Sequence, residues 1–166
     1  MIPELATLFL EGTIMGRFFC DAPNHFILQP EYARELAFLK SLLNYTRHGL
    51  PWLRFGEYLH PLDLLPTPAK IEFRESTRSL RTQVPVVMHS VTRSHTDGSV
   101  AIVLVNIGDR AEKVRVPVNP SALGAAKGEL LRLDEEGKIT PLASSKTSWT
   151  QELEIKPLEV AFLVLR

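Results

Sequence analysis

Apolar residues are densest along Gly98-Ser99-Val100-Ala101-Ile102-Val103-Leu104-Val105-Asn106-Ile107-Gly108, where they run continuously instead of alternating with polar ones. A strand with one wet face alternates, so a continuous run demands cover on both sides. Thr96-Asp97-Gly98 before the run and Gly108-Asp109-Arg110 after it are turn sequences, and a length of about eight residues suits a central strand better than a buried helix. Leu158 to Leu165 is a second near-continuous run.

Shorter patterns around these two predict further strands. Ile71 to Arg74 and Val84 to Ser94 read as extended, and Val114, Val116 and Val118 alternate with Lys113, Arg115 and Pro117, the mark of a half-exposed strand at a sheet edge. Glu129 to Leu133 and Lys138 to Leu142 flank the turn Asp134-Glu135-Glu136-Gly137, a hairpin signal, and Leu153 and Ile155 alternate with Glu152, Glu154 and Lys156. Seven or eight strands at this spacing predict a mainly β chain, an antiparallel β-sandwich, preceded by a helical N-terminal segment.

In that segment the pattern predicts a short helix over Pro3 to Leu10, a buried turn, and a loop at Asp21-Ala22-Pro23-Asn24-His25. The strongest helix signal runs from Pro30 to about His48. Pro30 suits N1, Glu31 complements the positive helix end, Arg47 and His48 complement the negative end, Gly49 suits a left-handed C′ position, and Pro51 follows. At 100° per residue Tyr32, Leu36, Phe38, Leu39, Leu42, Leu43 and Tyr45 share one broad arc, with Arg34, Lys40, Ser41, Asn44 and Arg47 opposite. Glu35, inside the arc near the first turn, reads as a snorkelling carboxylate. Pro61, Pro66 and Pro68 punctuate a boundary, with a linker at Pro66 to Lys70, and so divide the chain into a helical segment, 1–66, and a sandwich, 67–166.

Composition narrows the function classes. The chain has 166 residues and a formal net charge of zero, with 19 basic and 19 acidic side chains, which removes the footprint of a nucleic-acid or anionic-membrane binder. Glu4, Glu11 and Arg17 interrupt the apolar N-terminus, so no signal peptide or membrane span is expected. The lone Cys20 cannot form an internal disulfide; it reads as a small buried apolar residue and favours a reducing cytoplasm. Asn44-Tyr45-Thr46 matches a glycosylation acceptor by chance, inside a predicted helix.

Candidate chemistry is sparse. There is no phosphate-binding glycine loop, nucleophile elbow or zinc-binding helix motif, so no cofactor is expected. None of the five histidines pairs at helical spacing. His89 and His95, on one strand, would stand roughly 20 Å apart, too far to share a metal. Asp21, Glu57 and Asp63 lie in the irregular region, but no spacing selects a catalytic pair among them, and no catalytic residue is assigned. Aromatic faces stack on sugar rings while charged groups bind hydroxyls, which makes Trp52, Arg54, Glu57, Tyr58 and Trp149 the candidate carbohydrate-binding residues. The competing reading of Trp52, Phe55 and Tyr58 is that they fix the helix to the next layer.

Two stretches together resemble a known group. Ala101-Ile102-Val103-Leu104-Val105-Asn106-Ile107-Gly108-Asp109 with Val114-Arg115-Val116, and the closing Leu153-Glu154-Ile155-Lys156-Pro157-Leu158-Glu159-Val160-Ala161-Phe162-Leu163-Val164-Leu165, resemble the C-terminal β-sandwich of amylase-like and related glycoside hydrolases. Glu35 to Tyr45 and Leu53 to Leu59 are similar to the last barrel helix and its exit in such proteins. A whole barrel needs about 250 residues and only about 65 precede the sandwich here, so the resemblance implies a larger parent or a polysaccharide-processing ancestry. In the group it resembles, the catalytic carboxylates stand at the ends of barrel strands, and no motif here matches those positions. The implied role is structural or accessory, with a stand-alone carbohydrate- or protein-binding module as the alternative. A truncated barrel also predicts that the apolar arc of the helix over 30–48 is covered by the N-terminal segment, by a second copy of the chain, or by a missing barrel domain.

Overall fold

The computed structural model describes residues 1–12, 29–74, 81–125 and 127–166. Cys20, Asp21, His25, the loop around them and the turn expected after the first helix lie outside the described residues.

Among the described residues ten strands form, where seven or eight were expected. In chain order they are β1 (Gly56–Tyr58), β2 (Lys70–Arg74), β3 (Arg81–Pro85), β4 (Val87–Ser94), β5 (Val100–Asn106), β6 (Glu112–Val118), β7 (Glu129–Leu133), β8 (Ile139–Ser144), β9 (Trp149–Ile155) and β10 (Val160–Leu165). The extra two arise from short β1 and from the stretch expected as a single strand over Val84 to Ser94. The chain leaves strand geometry at Val86, so β3 pairs with β2 while β4 pairs with β5 in a different sheet. The start of β10 also differs: Leu158 has a positive φ of 60°, which makes Pro157-Leu158-Glu159 a turn and delays the strand to Val160.

Six strands make an antiparallel sheet in the order β1-β4-β5-β10-β7-β8, with β2-β3 and β6-β9 as two-stranded ribbons. Every residue of β5 is buried, as its unbroken apolar run required. Its alternate side chains enter two separate cores. Ala101, Val103 and Val105, with Val160, Phe162 and Val164 of β10 and Leu131 and Leu133 of β7, face the helices. Ile102 and Leu104, with Ala161, Leu163 and Leu165, face Val114, Val116 and Val118 of β6 and Ile155 of β9. The sheet is therefore the middle of three layers. The β6-β9 ribbon covers one face and helices cover the other, so the second half of the sandwich is a two-stranded ribbon. Its outer surface carries the pairs Lys113↔Glu154 and Arg115↔Glu152.

The helices are α1 (Ile2–Leu10), α2 (Ala33–His48) and α3 (Leu50–Leu53), with a 3-10 turn at Pro30–Tyr32 ahead of α2. Leu5, Ala6, Phe9 and Leu10 of α1 share the helix-side core with Phe38, Leu39, Leu42 and Tyr45 of α2, so the N-terminal segment and the sheet cover the arc. The buried arc is narrower than the sequence predicted. Leu43 is 45% exposed and Leu36 only half-buried, because α2 meets the sheet along one flank while Ser41 and Asn44 donate to the Glu135 carboxylate in the β7-β8 turn. Gly49 is not left-handed either: its φ is −94°, and the chain turns directly into α3. What requires glycine there is space, since a Cβ would stand 2.7 Å from the Phe162 ring.

Candidate functional site

The five aromatic and charged residues singled out by sequence are placed far from equally. Trp52 is buried: its indole N–H donates to Ser99 Oγ at 2.9 Å and its ring meets Phe162 edge-on, with centroids 5.8 Å apart. Arg54 is exposed, with its guanidinium 5.7 Å from the centre of the Phe55 ring. Glu57 lies across from Arg93 in the β1-β4 ladder and forms an exposed ion pair with it at 3.3 Å. Tyr58 is half-exposed, and its hydroxyl donates to the Leu10 carbonyl at 2.9 Å, tying β1 to the end of α1. Trp149 packs against the ribbon-side core, and its indole nitrogen is buried without a partner. Arg54, Glu57 and Tyr58 thus share the region of β1, whereas Trp52 is inside the helix-side core and Trp149 belongs to the ribbon.

A strap, Leu59 to Lys70, whose end is the stretch expected as a linker, runs from β1 into β2 beside β4. Leu59 donates to Val91 O, Leu65 exchanges two backbone hydrogen bonds with Arg115 of β6, and Leu64 is buried. Among the described residues, two of the clefts along this strap have His89 in their walls. One, of about 350 Å³, has apolar walls from Leu62, Leu64, Pro68, Pro85 and Val87, and carries Asp63, Thr67 and Lys70. The other, of about 260 Å³, lies toward the end of α1 and carries Thr7, Glu11, Tyr58, Met88 and Ser90. Each holds one carboxylate. Tyr58 is the predicted residue that reaches a cleft; burial and the neighbouring Glu11 push its hydroxyl pKa upward.

His89 is an unusual component of these walls. On β4 it projects to the ribbon side, with Val87 and Val91. Burial pushes its pKa down, while a hydrogen bond with the Leu62 backbone and the nearby Asp63 carboxylate oppose the shift. Its Nε2 is buried and has no partner, so the Leu62 bond belongs to Nδ1, and a proton on that nitrogen leaves Nε2 as a bare acceptor. On the opposite face of β4 the hydroxyls of Ser90 and Thr92 are also buried without partners. A sequence signal for His89 existed, an ionisable residue in the middle of a β-branched strand, but alone it does not separate a surface histidine from an inward one.

No protein-family description matches the chain, and no curated protein does. Similar solved structures are glycoside hydrolases. An Anoxybacillus alpha-amylase aligns over 80% of this chain and 22% of its own, with 14% identity and a TM-score of 0.40. The thermostable alpha-L-arabinofuranosidase of Thermotoga petrophila aligns over 60% of this chain and 24% of its own, with 17% identity and a TM-score of 0.37. A Bacteroides fragilis protein described as an alpha-galactosidase/melibiase aligns over 47% and 16%, with 21% identity and a TM-score of 0.33. The chain spans less than a quarter of each of these proteins.

Proposed function

We propose that this chain is the non-catalytic C-terminal portion of a glycoside-hydrolase-like protein, a β-sandwich with a structural or accessory role in carbohydrate processing. The observation that carries this reading is the joint between the two stretches whose sequences resemble such proteins. The barrel-exit-like segment is fastened to the sandwich through buried, directional contacts: Trp52 on Phe162 and Ser99, and Tyr45 stacked on Phe162 with its hydroxyl donating to Val160 O at 3.3 Å. Burial pushes the Tyr45 pKa up to about 12, so this donor keeps its proton at any physiological pH. A sandwich built to clamp the segment that precedes it serves as a support.

A rate assay on a panel of aryl glycosides tests the proposal. The expected result is turnover no faster than in buffer, unchanged in Glu57→Gln and Asp63→Asn. Turnover that either substitution abolishes would overturn it. A second reading, a stand-alone binding module, is favoured by the exposed Phe55 and Tyr58 rings, 62% and 51% exposed. It predicts chemical-shift changes confined to these residues and Arg54 when oligosaccharides are titrated in.

A further inference from the structure

We propose that His89 makes the strap from Leu59 to Lys70 an acid-released latch, closed while the imidazole is neutral and opened when it takes up a proton. Nδ1 is engaged by the Leu62 backbone, which belongs to the strap itself, and Nε2 is buried with no partner among the described residues. Adding a proton to Nε2 creates a charged donor with nothing to receive it, next to Val87, Val91 and Leu64 in the ribbon-side core. An unpaired buried charge is among the most costly things a fold can hold, so the proton enters when the ring reaches water. Because β4 is held by β5 along its whole length, the side that can yield is the strap.

The charged groups around the ring do not remove this penalty. Asp63 on the strap and Lys70 at the start of β2 line the first cleft, and Glu11 and the Tyr58 hydroxyl line the second. Asp63 is the counter-charge felt by the ring, and it is exposed, where water screens its attraction. Desolvation is the larger influence and keeps the folded imidazole neutral. Release would free the paired bonds between Leu65 and Arg115 and the bond from Leu59 to Val91 and uncover the apolar wall of the first cleft, leaving β5 and β10 intact.

Amide hydrogen exchange tests this, corrected for intrinsic pH dependence and read at Leu65, Arg115 and Leu59, with Val103 as internal reference. If the ring titrates at its ordinary 6.5 only when the strap is open, the opening equilibrium grows about tenfold by one pH unit below that value. The expected result is a roughly tenfold faster exchange of the three strap-linked amides at about pH 5.5 than at pH 7.5, with Val103 unchanged. In His89→Gln, which cannot take up the proton, the acceleration should vanish. Ring carbon shifts of wild-type His89 give an independent reading that needs no substitution: a ring that titrates near 6.5 while the strap amides stay protected overturns the latch. So does an acceleration that persists in His89→Gln, or strap exchange with no excess pH dependence.

Discussion

Asn106, at the end of β5, has no solvent exposure, and all its polar side-chain atoms are engaged. Its Nδ2 donates to Arg110 O at 2.8 Å and Ile155 O at 2.9 Å, while Oδ1 accepts from the Gly108 N–H at 2.8 Å. One side chain thus fixes the turn after β5 and ties it to the end of β9. Asn106→Leu keeps the branched shape and strands those three groups, so about 3 kcal/mol of destabilisation is expected in denaturant titrations. Asp97 plays a smaller part in the β4-β5 turn, its Oδ1 accepting from the Ser99 hydroxyl at 2.6 Å and the Ser99 N–H at 3.1 Å. The Ser99 hydroxyl, ahead of the other influences, holds its carboxyl below the ordinary 3.8. A lowered folded value means stability that is present above the unfolded value and lost as pH falls through the folded one. The stability gap between wild type and Asp97→Asn should therefore stay constant from neutral pH to about pH 5 and close below 3.8, as read by thermal melts across that range. The turn around Asp97 and Gly98 was legible from sequence because its chemistry is local. The roles of Asn106 and His89 were not, because their partners come from residues brought near by the fold.

Among the elements, the end of α2 meets β10 closely, and Gly49 and Phe162 set the approach. Gly49 adopts a φ that alanine tolerates, so the cost of Gly49→Ala lies in the 2.7 Å approach of the new methyl to the Phe162 ring. Roughly 1–3 kcal/mol is expected, and Phe162→Leu should cost less in the Gly49→Ala background than in wild type; a double-mutant cycle measures that coupling. Leu39, 6% exposed between α1 and the sheet, offers a sharper trial of what covers α2. A carboxylate there has no partner, so Leu39→Glu should yield an unfolded monomer by circular dichroism and light scattering, with a loss of about 4 kcal/mol or more. A folded variant of reduced mass would mean that a second copy covers this face. The helix itself was legible from its ends, through Pro30 and the basic last turn. The width of its buried arc was not, since periodicity gives a hydrophobic side but not how squarely that side meets a neighbour. The same limit hid the break between β3 and β4: residues 84–94 read as one extended run, and only the change of pairing partner at Val86 divides it.

At the scale of the whole molecule, one sheet with two cores raises the question of whether the chain folds as one unit or as the helical segment and sandwich that its prolines suggest. The two tryptophans report on opposite faces of that sheet, Trp52 in the helix-side core and Trp149 against the ribbon-side core. Residues of β5 and β10 contribute alternately to both cores, and removing either cover leaves a buried face in water. The helix side alone includes Val103, Val105, Phe162 and Val164, and no two-stranded ribbon on the other face compensates for exposing them. Unfolding curves of the single-tryptophan variants Trp52→Phe and Trp149→Phe, each normalised to its own midpoint, should therefore have the same steepness and coincide with far-ultraviolet circular dichroism, the sign of a single cooperative transition. A chain lacking residues 1–53 should fail to give a sharp transition at all. If instead the Trp149 signal survives a first transition that removes the Trp52 signal, the sandwich stands alone, and the helical segment is a separable piece that it only carries.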